Sequence, residues 1–159
     1  MRTRQFVSGI LIVGFSLSTA LAIQDKSSAI SAIESKLIQL AEQEYPNWKH
    51  ESVTPLEGAS EVIIDKWTSD DADVSVKIIR YSSDDNAQKH IQQFVKDMKA
   101  AYISQEDSDE AYSMSSRGNS IAARKRHFLI YITVNAKTPD DESKLLKQTN
   151  KLASKALKE

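Results

Sequence analysis

This sequence predicts an α+β fold: a mostly antiparallel sheet of about five to six strands packed with three amphipathic helices. Three stretches carry a single apolar stripe at three- and four-residue steps, the spacing of a helix with one buried face. Between them lie short alternating or apolar runs bounded by polar turns, as in hairpin-connected strands. After the N-terminal segment no internal repeat, linker or low-complexity stretch interrupts the pattern, so a single domain over 23–159 is expected.

The N-terminal segment comes first. Arg2 and Arg4 precede an apolar run from Phe6 to Leu17, and Ala20-Leu21-Ala22 follows with small residues at both ends. A basic start, an apolar middle and an Ala-x-Ala end make a secretory signal peptide over 1–22, with Ile23 opening the mature chain. The rival reading is a membrane anchor, which needs about 20 predominantly apolar residues. Ser8, Gly9, Gly14, Ser16, Ser18 and Thr19 dilute the run below that. The chain has no cysteine, which excludes a lipid on a cysteine at the cleavage site.

From Ser27 to Tyr45, Ile30, Ile33, Leu37, Leu40 and Ala41 form one helical stripe, and Pro46 ends it because the residue before proline avoids helical geometry. Glu51 to Leu56 suits a short edge strand limited by Pro55. Glu61–Trp67 and Asp73–Tyr81 read as strands joined by Ser69-Asp70-Asp71, with Val74, Val76 and Ile78 alternating with polar neighbours. Ser82-Ser83-Asp84-Asp85 supplies capping oxygens and N-terminal acids to a second helix, whose stripe reads Ala87, Ile91, Phe94, Val95, Met98 and Tyr102. Ser104 to Glu110 is acidic and reads as a loop.

Ala111 to Asn135 predicts a meander of three strands, turning near Arg117-Gly118-Asn119 and again near Arg124-Lys125-Arg126-His127. The run Phe128–Val134 is the most continuously apolar and should be the sheet's centre, with Ile130 and Ile132 on the helix-covered face beside Val76 and Ile78. Thr138-Pro139-Asp140-Asp141 opens the last helix with a hydroxyl cap, proline in the first turn and two acids. Leu145, Leu146, Thr149, Leu152, Ala153, Ala156 and Leu157 make its stripe.

Composition bounds the function. Removing 22 of 159 residues leaves 137, enough for one core. The whole chain carries −1, and the removed segment holds two arginines and no acid, so the remainder carries −3. That balance gives no global attraction to nucleic acid or anionic lipid. Without cysteines there are no disulfides, and Asn47, Asn86, Asn119, Asn135 and Asn150 all lack a hydroxyl residue two positions on. Both features fit a bacterial periplasmic or secreted protein.

Catalytic patterns do not emerge. There is no G-x-S-x-G elbow and no Ser-x-x-Lys, and the mature chain's glycines are Gly58 and Gly118 alone. His50, His90 and His127 fall in separate elements with no metal-ligand spacing. The clusters Asp70-Asp71-Ala72-Asp73 and Glu106-Asp107-Ser108-Asp109-Glu110 lack the EF-hand series and read as solvated turns. No cofactor or metal is expected. Arg124-Lys125-Arg126, helped by Arg117, is either an anion contact or a charged turn that keeps a sheet end soluble. Trp67 should be core or core edge. Tyr45 and Trp48 are either a lid on the core or the rim of a ligand groove.

The run VSVKIIRYSSDDNAQKHIQQF from Val74 to Phe94, followed by Ser108-Asp109-Glu110-Ala111-Tyr112, resembles a pattern of small exported bacterial proteins. An alternating strand ends in a capped turn, a helix opens with alanine, and a Gly-Asp-Glu-Ala-Tyr/Phe segment precedes a strand with an arginine. Here Ser108 replaces the glycine, and Arg124 stands in the arginine's place. The arrangement is similar to the α/β/α layering of Mog1/PsbP-like domains. The resemblance covers about half the mature chain, and no catalytic residue carries over with it.

The function these readings support is an exported, non-enzymatic binding or accessory protein. Its partner would be another envelope or secreted component or a small ligand, not nucleic acid. The alternatives are a small hydrolase whose acids and histidines meet only in the fold, and an enzyme inhibitor presenting the loop from Ser104 to Glu110.

Overall fold

A computed structural model describes residues 27–53, 61–105, 107–113 and 119–158. The expected signal peptide, the Pro55 half of the first strand, Glu106, and Arg117-Gly118 of the first meander turn lie outside these residues. The described chain forms three helices and one seven-stranded antiparallel sheet.

Helix α1 spans Ser28–Glu44 and is capped by the Ser27 hydroxyl, which accepts from the Ile30 N–H at 3.4 Å. Strands β1 (Lys49–Ser52), β2 (Val62–Thr68) and β3 (Ala72–Arg80) follow as an antiparallel set. At the β2–β3 turn the Ser69 hydroxyl accepts from the Ala72 N–H at 3.1 Å. Helix α2 spans Asp84–Met98, and the Ser83 hydroxyl accepts from the Asn86 N–H at its start. Strands β4 (Ala101–Ile103), β5 (Glu110–Ser113), β6 (Ser120–Lys125) and β7 (Phe128–Ala136) precede helix α3 (Pro139–Ala156). Thr138 caps α3 through the Asp141 N–H.

The sheet order is β1-β2-β3-β7-β6-β5-β4, with β7 in the middle. Alternation decides what each face packs against. Trp67, Val74, Val76, Ile78, Ile130, Ile132 and Val134 share one face with the buried stripes of α1 and α3. Leu129 points the other way, onto Ala87 and Ile91 of α2, with Tyr131 partly buried beside it. The molecule is therefore three layers, with two helices on one side and one on the other.

One element differs from expectation. The stripe of α2 stops before Met98, which is 45% exposed, and Tyr102 leaves the helix altogether to lie on β4. Lys99 adopts a left-handed conformation (φ 50°) and the Ala100 N–H turns back to the Val95 carbonyl at 3.1 Å, a helix-terminating geometry. Tyr102 then pairs with Tyr112 of β5, their rings edge-on at 5.8 Å. This short edge strand brings the total to seven.

Candidate functional site

Tyr45 and Trp48 sit where α1 hands the chain to β1. Pro46 stops the helix, and the Trp48 N–H closes a turn onto the Tyr45 carbonyl at 3.1 Å. The two rings stack at 4.9 Å, and Tyr45 reaches the Trp67 ring at 6.0 Å. Tyr45 is 9% exposed, and its hydroxyl donates to Gln148 Oε1 of α3 at 3.3 Å. Burial, then the nearby Glu44 charge, pushes its phenol up to about 12. Trp48 is half-buried against the same core. Tyr45 is thus a core residue, and Trp48 spans core and surface.

Together they wall a cleft of about 550 Å³ between the C-terminal end of α1 and the start of α3. Leu145 adds to the apolar wall, while Lys137, Asp141, Lys144 and Gln148 supply polar groups. Several are already engaged: Lys137 pairs with Asp71, and the Thr138 hydroxyl donates to Asp141 at 2.7 Å. A half-exposed aromatic wall with a mixed-charge border suits a partner that is itself partly apolar.

The basic turn is clamped by the acidic loop. Arg124 Nε meets Glu110 at 2.5 Å, and its Nη1 meets Asp109 at 3.2 Å. Lys125 lies 3.8 Å from Asp109, whose carboxylate also accepts from the Arg126 N–H at 2.6 Å. That last bond holds Arg126 at φ 52°, in a two-residue turn between β6 and β7. The Arg124 guanidinium is therefore occupied; the Arg126 side chain is exposed, and Arg117 lies outside the described residues.

The histidines stay apart. His90 is exposed on α2 and stacks on Tyr81 at 4.5 Å, and His127 lies 3.4 Å from Asp84. His50 stands opposite Trp67 across β1–β2, at 5.8 Å between rings. Among the described residues no group of three or more His, Cys, Asp or Glu is placed to hold a metal.

Sequence reasoning missed Asp65. It has no exposed surface and accepts a 2.6 Å hydrogen bond from the Trp67 indole, while its second oxygen has no hydrogen-bond partner among the described residues. Both ring nitrogens of His50 are also buried, without hydrogen-bond partners among the described residues. The signal was available in Val62-Ile63-Ile64-Asp65-Lys66-Trp67, because period two puts Asp65 on the face of Ile63 and Trp67.

Burial raises the Asp65 carboxyl above its ordinary 3.8, opposed by the Trp67 hydrogen bond and the nearby His50. A raised acid binds its proton more tightly when folded. Its contribution to stability is therefore full below 3.8 and is lost as pH rises through the raised value. Asp65→Asn, which can still accept from Trp67, should gain stability relative to the parent as pH climbs through that window. Denaturation of both proteins across the pH range checks this, and a constant difference would contradict it.

No family model, curated protein or solved structure matches the chain.

Proposed function

We propose that the chain is an exported, non-enzymatic binding or accessory protein of the bacterial envelope or secretome, with layering like that of Mog1/PsbP-like domains. The observation that carries this reading is the cleft of about 550 Å³ walled by Tyr45 and half-buried Trp48. Its occupant is another envelope or secreted component, or a small ligand, and Trp48 is its anchor. Tryptophan at a partly desolvated rim is the residue type that most often dominates binding energy.

A photo-crosslinking residue placed at Gln148 in the native cell should capture the partner, and Trp48→Ala should abolish that capture. The substitution should weaken binding by about 2 kcal/mol or more. Undiminished capture by a folded Trp48→Ala protein would remove the cleft from consideration.

Export supplies the second test. The Ala20-Leu21-Ala22 sequence places the new N-terminus at Ile23. N-terminal sequencing of protein from its own cells should begin there or within a residue or two. Full-length protein that only detergent releases would instead indicate an anchor. Among the described residues no helix is long and apolar enough to cross a membrane.

A further inference from the structure

A second cleft opens at the opposite end of the α1–α3 pair, between the first turns of α1, the C-terminal end of α3, the end of β3 and the β6–β7 turn. Its volume is about 400 Å³, within the roughly 300–1,000 Å³ range of small-ligand sites. The floor is apolar, made by Ile33, Phe128, Ala156 and Leu157. Ala29 and Ala32 are exposed and small, so this side of α1 leaves a shallow apolar channel running out to solvent.

The border has the opposite character. Among the described residues Lys36, Arg80, Arg126, His127 and Lys158 line it, and no carboxylate does. Part of this charge is balanced just outside: Arg80 pairs with Glu61 at 3.2 Å, Lys158 with Asp107 at 3.7 Å, and His127 faces Asp84. Lys36 and Arg126 have no carboxylate partner among the described residues; the Lys36 ammonium donates only to the backbone carbonyl of Lys158. The first turn of α1, unlike those of α2 and α3, carries no acid to offset its positive end. On a chain that is net acidic overall, this is a local positive field over an apolar floor.

We propose that this cleft binds a single-chain amphiphile with an anionic head, of the fatty-acid carboxylate class. The alkyl chain lies along Ile33, Phe128 and Leu157, in the channel bared by Ala29 and Ala32. The carboxylate meets Lys36 and Arg126. An inorganic anion would leave the floor unfilled, and a neutral chain would leave the two cations unpaired. The head group and the tail are each matched by a separate part of the cleft.

Calorimetric titration of the protein as isolated from its own cells, using decanoate, decanol and inorganic phosphate as probes, tests the assignment. Decanoate should bind one to one, decanol at least about fivefold more weakly, and phosphate without detectable heat, as expected when exposed ion pairs to Lys36 and Arg126 add to apolar burial. Lys36→Glu and Arg126→Glu should each weaken decanoate about fivefold or more, and Ala32→Phe, at an exposed position, should block it by filling the channel. Denaturation confirms that each variant is folded, and Lys36→Gln stands in if the reversal is not. Trp48→Ala, at the other cleft, should leave decanoate binding unchanged. Absence of decanoate binding would overturn the proposal, as would equal affinity for decanol. Binding indifferent to both charge reversals and to Ala32→Phe would place the amphiphile elsewhere and overturn it as well. A cleft filled by the residues preceding Ser27 would appear as no decanoate uptake together with destabilisation by Ala32→Phe, and that too would refute it.

Discussion

Trp67→Phe is expected to lower folding stability by about 2–4 kcal/mol, more than the loss of ring area alone would cost. Trp67 has no exposed surface, and its indole N–H is the side-chain donor to Asp65, at 2.6 Å. Phenylalanine keeps much of the packing but removes that donor. It leaves the Asp65 oxygen that met the indole without that donor, in a carboxylate with no exposed surface whose other oxygen has no hydrogen-bond partner among the described residues. Leaving a buried polar group unsatisfied costs about 1–3 kcal/mol, whereas removing both partners together can be nearly neutral. The same substitution in an Asp65→Val background should therefore cost much less, since the strand tolerates a β-branched residue there. Equal costs in the two backgrounds, measured by chemical denaturation, would mean that the indole hydrogen bond contributes nothing.

The Asp65–Trp67 pair also shows where sequence reading stops. Period-two alternation places both residues on the face of β2 shared with Ile63, so their co-location was readable. That the face is entirely covered was not, because the cover comes from α1, α3 and β1. The same limit applies at the end of α2. Tyr102 follows Met98 by four residues and mimics a continuing stripe, while the stop falls at Lys99 with no glycine or proline to mark it. Pairing of Tyr102 with Tyr112 pulls the segment onto the sheet edge, and a tertiary contact outweighs a local spacing. By contrast, the three helix starts were plain, since Ser27, Ser83 and Thr138 each cap through their own side chains. Tyr45 and Trp48 were recognisable as a pair, but the sequence left lid and rim as alternatives. In the structure both line the cleft, Tyr45 buried in the core and Trp48 half-buried against it. The cationic border of the second cleft draws on α1, β3, the β6–β7 turn and the residues after α3. No local window contains those segments together, so spacing could not reveal it.

Ile130→Ala is expected to cost about 2–5 kcal/mol. The run Phe128–Val134 forms the middle strand of seven, and Ile130 lies at its heart with no exposed surface. Its cross-strand neighbours are Ile78 on β3 and Ala123 on β6, both also fully buried. The α1 and α3 stripes close the same layer from above. A central strand flanked on both sides by paired strands cannot shift inward to fill the space left by the lost methylenes. The cost therefore includes a cavity term as well as transfer. Ile130→Val removes one methylene and should cost about 0.5–1.5 kcal/mol, so the series should be graded. Lys77→Ala, exposed on β3 and facing the other side of the sheet, should stay within about 0.5 kcal/mol of the parent. Denaturation midpoints for the three variants decide the matter. An Ile130→Ala loss as small as that of Lys77→Ala would mean that the face of β7 is reversed, and with it the placement of α1 and α3 over the sheet.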